Sequence, residues 1–166
     1  MVLKDSYKVE IRKLQHPDEA ALCARLMADS EPWITLRRDY EILFRIISDP
    51  AREVYVAVNG GKEIAGFIML SMQGAFVGYI QSICIRPDRR NKGIGSQLMA
   101  FAEKRIFNVT PNVFICVSSF NPNAKRLYER LGYQVVGELK DYIIAGHAEI
   151  LLRKTVAPLA EFKRKQ

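Results

Sequence analysis

Residues 76–85 are largely apolar at odd and even positions alike, and the run ends in Arg86-Pro87-Asp88-Arg89-Arg90-Asn91-Lys92-Gly93-Ile94-Gly95-Ser96. Apolar residues then recur at helical spacing: Ile94, Leu98, Phe101, Ala102 and Ile106. A strand apolar on both faces must be covered on both sides, so it belongs in the middle of a sheet. The helix over 93–106 must cover one of those faces. The joining loop has the chemistry of an anion site. Free backbone N–H groups at a helix start attract phosphate, and glycines let a ligand approach the main chain. Gly93 and Gly95 give that approach, and Arg90 and Lys92 add charge. A P-loop would need Gly-Lys-Ser/Thr at the helix start, but Ile94-Gly95-Ser96 follows Gly93. A dinucleotide fingerprint would want a third glycine where Leu98 stands. Taken alone, the loop also reads as a Gly-rich turn with solvated arginines.

The remaining elements set the architecture around this strand. Residues 9–14 form a first strand. Pro17 opens a helix with Asp18 and Glu19 in its first turn and Leu22 and Leu26 facing inward. A second helix over 35–47 carries Leu36, Tyr40, Leu43, Phe44 and Ile47 on one stripe, and Ser30-Glu31-Pro32-Trp33 links the two. Residues 53–58 and 64–70 form a hairpin through Asn59-Gly60-Gly61. After the helix over 93–106, a strand over 113–117, a helix over 121–131 and strands over 133–138 and 142–153 complete the order βααβββαβαββ. That order implies an α+β sheet with helices on both faces, one domain over 1–155 and a polar tail over 156–166.

Composition narrows the function. At 166 residues, 49% hydrophobic and 26% charged, the chain suits a soluble domain that buries its own core. No run reaches the length of a membrane span. Residues 1–15 alternate charged and apolar positions, unlike a signal peptide, which places the protein in the cytoplasm. Cys23, Cys84 and Cys116 lie in apolar runs without ligand spacing and read as reduced thiols; with only His16 and His147, no metal site is expected. The net charge of +7 fits nucleic acid, an acidic partner or an anionic cofactor. In neither of its clusters, at 86–92 and 162–166, do aromatic residues interleave in a stacking pattern, which disfavours nucleic acid.

A second motif runs Asn121-Pro122-Asn123-Ala124-Lys125-Arg126-Leu127-Tyr128-Glu129-Arg130-Leu131-Gly132-Tyr133. Asn121 can cap this helix, Pro122 suits its first position and Gly132 its stop. Ala124, Leu127 and Leu131 share the buried side. Tyr128 sits at the margin of that stripe, where its hydroxyl either reaches a cleft or is wetted by solvent.

An R-x-x-G-x-G loop after a central strand, then N-x-x-A-x-x-L-Y-x-x-x-G-Y, resembles the GCN5-related N-acetyltransferase (GNAT) superfamily, and most of all its small members near the ribosomal-protein N-terminal acetyltransferases. The resemblance covers 9–154 in element order and 80–133 in residue detail. It implies an α+β GNAT fold, with a mostly antiparallel mixed sheet splayed at strands 4 and 5 and about four flanking helices. It also implies acetyl-CoA as cosubstrate, no metal, a small-molecule or peptide amine as acceptor, and a monomer or homodimer. By resemblance, Ile83, Cys84 and Ile85 align the pantetheine arm, and Asn91, Lys92, Gly93, Ile94, Gly95 and Ser96 hold the pyrophosphate with Arg90 at the mouth. Asn121 contacts the cofactor arm, and Tyr128 protonates the leaving thiolate, which a phenol near pKa 10 can do. Tyr142 matches a peptide-contacting tyrosine.

The chain departs from these relatives where they carry the base. Cys116, five residues before Asn121, replaces a glutamate, and Gln81 stands where relatives often place an acid. Glu31, beside Trp33 in the loop that overhangs the acceptor cleft, is the leading candidate; a helix-flanking surface acid and a water chain are the other readings. Cys84 or Cys116 as a nucleophile is disfavoured, because no histidine is nearby in sequence to activate either. His147 reads as a surface histidine or a residue at the acceptor mouth. The alternatives from other classes are a non-catalytic acetyl-CoA-binding module and a basic RNA- or ribosome-binding module using 86–92. Tyr128 favours the enzyme, since a pure binder needs no leaving-group acid.

Overall fold

The strands alternate sides, so residues of one strand feed two separate cores. In the computed structural model, which describes residues 7–61 and 63–164, these strands form one seven-stranded sheet. Residues 1–6 of the N-terminal reading, and Lys165 and Gln166 of the basic cluster at 162–166, lie outside the described residues. The elements are β1 (Glu10–Lys13), α1 (Pro17–Ala28), α2 (Tyr40–Ile47), β2 (Arg52–Asn59), β3 (Glu63–Ser71), β4 (Tyr79–Ile85), α3 (Ile94–Phe107), β5 (Asn112–Ser118), α4 (Pro122–Arg130), β6 (Gln134–Lys140) and β7 (Ala148–Thr155). Their order across the sheet is β1-β2-β3-β4-β5-β7-β6. Among the described strands only β4 and β5 pair in parallel.

On β3, Ile68 and Leu70 join the core beneath α3 and α4, with Leu98, Ile106, Val113 and Leu152. Phe67 and Met69 point the other way, into the core beneath α1 and α2, with Cys23, Met27, Leu43 and Val56. Across the sheet's midline, β4 pairs with β5 only at Tyr79–Phe114 and Ile80–Ile115. Beyond that point the two strands part, so the expected splay is present. A bulge coincides with it: Ser82 faces Met69 and Ile80 faces Leu70, leaving Gln81 as the extra residue. The bulge places Ile80 on the α3 side with Ile83 and Ile85, while Cys84 faces α1 and α2.

Several expected boundaries and faces change. Leu22 is 49% exposed, and α1 turns Ala20, Cys23, Ala24 and Met27 inward instead. Small side chains let this helix lie close to the sheet. The second helix starts at Tyr40 rather than residue 35, because Arg37 adopts φ 53° and Asp39 accepts from the Ile42 N–H as its cap. Leu36 is nevertheless buried, in the turns that precede the cap. Phe76 lies outside β4 and is exposed, since Gly78 (φ 86°) turns the chain before Tyr79. The last strand begins at Ala148, not residue 142. Asp141 (φ 51°) and Gly146 (φ 82°) form a loop closed by the Asp141 N–H to His147 C=O bond at 3.0 Å. On α4 it is Tyr128 that is buried, while Ala124, Leu127 and Leu131 are half-buried.

Candidate active site

The Gly-x-Gly loop is braced from below. Glu63 on β3 accepts from Arg86 and, at 2.9 Å, from Arg89, and Arg86 also pairs with Asp88 at 3.1 Å. These cations are neutralised. Arg90 has no carboxylate partner among the described residues, and its Nε donates to the Ile85 carbonyl at 3.2 Å. Asn91 (φ 59°) and Gly93 (φ 79°) take left-handed backbone on either side of Lys92, a loop geometry suited to gathering N–H groups before α3. Among the described residues, chain neighbours aside, no atom lies within 4 Å of a Cβ placed on Gly93, and on Gly95 only Ile85 Cγ1 does, at 3.9 Å. The space above both glycines is therefore open groove, and the fold does not require glycine at residue 95.

That groove, about 560 Å³, is lined by Ile83, Cys84, Ile85, Arg90, Asn91, Gly93, Ile94, Gly95 and Ser96, all expected from sequence. Asn123, Arg126 and Arg130 complete it from α4. Sequence reasoning missed these three; the signal was a polar run on a helix whose apolar stripe is narrow. Lys92 lies outside the groove lining, with its Nζ 5.3 Å from the Tyr7 ring centroid. The elongated groove, its unopposed guanidinium and its open glycines suit a pyrophosphate with a narrow arm running along β4.

On the far side of the splay lies a second cleft of about 510 Å³. The two cavities share Glu31, Trp33, Ile83 and Ala124, so they meet where β4 and β5 part. Tyr128 lines the second cleft and is 6% exposed; burial pushes its phenol up to about 12, so it is protonated at neutral pH. Asn121 caps α4 by accepting from the Ala124 N–H at 3.3 Å, and it lines this cleft rather than the loop groove. Gln81 lines it too, with its Oε1 buried and without a hydrogen-bond partner among the described residues. Trp33 forms part of the wall, and Tyr142, 66% exposed, forms part of the rim.

Glu31 is at the mouth of both cavities but is exposed, and both its oxygens accept from Thr35, from N–H at 3.2 Å and Oγ1 at 3.0 Å. Burial pushes the Cys84 thiol up to about 12 and raises that of Cys116, so neither is a ready nucleophile. His147 packs on Phe120, 4.9 Å between centroids, and does not line the cleft.

Sequence reasoning also missed Tyr79, Ser118 and Glu149 in this cleft. Glu149 is 6% exposed, and its Oε1 accepts from Ser118 Oγ at 2.6 Å. Burial raises its carboxyl above the ordinary range, with the Ser118 bond opposing part of that rise. The available signal was a lone acid in the apolar run Ala148-Glu149-Ile150-Leu151-Leu152.

A sheet splayed at a bulged central strand, with a Gly-x-Gly loop groove on one side and a second cleft on the other, has the layout of an acyl-CoA-dependent N-acetyltransferase. The sequence model of the Acetyltransferase (GNAT) family matches residues 15–133, and the chain belongs to that family. Peptidyl-lysine N-acetyltransferase YjaB of Salmonella typhimurium is 26% identical over 133 residues, covering 78% of this chain and 86% of that protein. Among solved structures, NAA60 of Arabidopsis thaliana in complex with a bisubstrate analogue superposes with TM-score 0.73 at 17% identity, covering 89% of this chain and 98% of the other. Spermidine N-acetyltransferase of Vibrio cholerae, in complex with CoA and spermine, gives TM-score 0.69 at 18% identity, covering 93% and 97%. Among the described residues no helix is long and apolar enough to cross a membrane.

Proposed function

We propose that this enzyme transfers the acetyl group of acetyl-CoA to a primary amine by direct attack in a ternary complex. The observation that carries the reading is the meeting of the loop groove and the second cleft at the splay, with Tyr128 lining that cleft one helical turn after Ala124, which both cavities share. Acetyl-CoA supplies the activated thioester. The N–H groups from Asn91 to Ser96 and the Arg90 guanidinium hold the pyrophosphate, where fixed donors and a helix N-terminus stabilise anionic oxygen. Lys92, over the Tyr7 ring, adds positive potential at the loop's edge. Ile83, Cys84 and Ile85, released from pairing with β5, present backbone groups to the pantetheine arm and the acetyl carbonyl.

In the second cleft Trp33 and Tyr142 flank the amine, and Gln81 adds a neutral polar side chain to the lining. Glu31 at the mouth favours approach of the cationic form. Tyr128 donates its proton to the departing thiolate, and Asn121 fixes the start of the helix that carries it. Relatives that act on peptidyl lysine and on spermidine support an amine acceptor as the class. Three free cysteines fit a cytoplasmic enzyme in a reducing compartment.

Initial velocities over crossed concentrations of acetyl-CoA and primary amines, followed as free thiol, test this. Intersecting double-reciprocal lines are expected. Parallel lines would indicate an acetyl-enzyme, and thiol release independent of amine would reduce the chain to a thioesterase or a binder.

A further inference from the structure

A primary amine reaches a neutral-pH active site as ammonium, which cannot attack a carbonyl until it loses a proton. A side chain of the cleft that accepts that proton directly spares the amine a relay through water to solvent. Gln81, Ser118 and Asn121 are not bases at neutral pH. Burial raises both the Tyr79 phenol and the Cys116 thiol, so they stay protonated. Arg38 is a cation, and Tyr128 is occupied as the acid. Glu31 stands at the exposed mouth with both oxygens engaged by Thr35.

We infer that Glu149, held by Ser118 at the floor of the cleft, takes the proton from the acceptor's ammonium group. Pairing of β5 with β7 sets Glu149 directly opposite Ser118. The Ser118 hydroxyl fixes one carboxylate oxygen at 2.6 Å, which leaves Oε2 without a protein partner among the described residues. That geometry orients the free oxygen's carboxylate without consuming it. The groups that face or flank it are Ser118 and Cys116 on β5, Tyr79 on β4, Leu139 opposite on β6, Tyr142 in the loop before β7, and Glu31 and Arg38 across the cleft. No cation pairs with Glu149 among the described residues, so an incoming ammonium supplies the missing counter-charge. Burial makes this carboxylate more basic than an exposed one, which narrows its gap from the amine.

The proton balance is complete. The ammonium gives one proton to Glu149, and the neutral nitrogen forms the C–N bond as the C–S bond breaks. Tyr128 protonates the thiolate, and the remaining excess nitrogen proton returns to the Tyr128 phenolate. Glu149 then releases its proton to solvent, so each turnover yields amide, free thiol and one proton.

This inference rests on the transfer reaction proposed above, and the test separates the two. Glu149→Gln keeps the shape and the Ser118 contact but cannot accept the proton. Its acetyl-CoA affinity by calorimetry should stay within about twofold, because Glu149 is absent from the loop groove. Its kcat/KM for the amine should fall roughly 10²–10⁴-fold at neutral pH. The loss should shrink as pH rises toward the amine's own pKa, and Glu149→Asp should restore part of the rate. A merely structural role would give a loss that does not vary with pH and is not rescued by aspartate. That result, wild-type kinetics in Glu149→Gln, or the pH-dependent loss appearing in Glu31→Gln instead would overturn the inference and leave the transfer reaction standing. Wild-type protein that binds acetyl-CoA but transfers to no amine would overturn both.

Discussion

Valine at residue 95 is the sharpest probe of the cofactor loop, because the structure separates its effect on folding from its effect on binding. A Cβ there meets one atom, Ile85 Cγ1 at 3.9 Å, an ordinary contact. Gly95 sits in the first turn of α3, where a side chain costs the helix little, and replacing glycine even lowers the entropy of the unfolded chain. Stability should move by less than about 1 kcal/mol, within about 4 °C in Tm for a domain of this size. The branched side chain, however, projects into the open groove and holds the pyrophosphate off the loop. Losing two charge-assisted hydrogen bonds at about 1.5–3 kcal/mol each predicts affinity weaker by at least about 10²-fold. Gly95→Ala should fall between wild type and valine. Calorimetry with acetyl-CoA and a thermal melt are the assays. A folded Gly95→Val protein with affinity within about threefold of wild type would remove this loop from the cofactor site.

Tyr128→Phe should leave acetyl-CoA affinity unchanged and lower kcat roughly 10²–10⁴-fold; a change under about twofold would assign the thiolate's proton to water. Glu19, hydrogen-bonded by Arg12 at 2.7 Å and partly buried, has its carboxyl lowered to about 2. Its stabilisation, at most roughly 3 kcal/mol, is present above the ordinary pKa near 4.5 and is lost as pH falls toward 2, so denaturant melts of Glu19→Gln and wild type should differ at pH 7 and converge near pH 2. A difference that persists at pH 2 would contradict the ion pair as its source. A Cβ on Gly66 would lie 2.7 Å from the Cys84 carbonyl oxygen, so Gly66→Ala must displace β4, costing about 1–3 kcal/mol in melts and weakening acetyl-CoA binding together. Loss of stability with unaltered affinity would show that β4 does not align the cofactor.

The loop groove, proposed above as the cofactor site, was legible in the sequence because its residues are contiguous. Arg90 to Ser96 form one loop, the strand before it is visibly central, and Asn121 to Tyr133 carry their own cap and stop signals. The second cleft, proposed for the acceptor, was not. Tyr79, Ser118 and Glu149 come from three strands, and only the β4–β5 and β5–β7 registers bring them together. Pairing of that kind leaves no local trace, whereas Glu31, beside Trp33 in one short loop, was visible in the chain and does line both cavities. Helix faces misled where size was taken for burial: α1 presents alanines and a cysteine to the sheet and leaves Leu22 in solvent. Tyr142 was read into the last strand because its neighbours Ile143 and Ile144 are β-branched; the left-handed turn at Asp141 overrides that propensity. The bulge at Gln81 was equally hidden, although it decides which β4 side chains reach each cavity.

The central claim is that an acetyl group crosses from the loop groove to the polar cleft and ends on nitrogen. Acetyl-CoA labelled with ¹³C at the carbonyl should be incubated with a mixture of monoamines, polyamines, lysine-containing peptides and peptides with free N-termini, and the products read by carbonyl NMR and mass spectrometry. Label should appear as an amide on one of these classes, in step with free thiol and abolished by Gly95→Val. Label recovered only as acetate, or retained on the protein, would contradict the account.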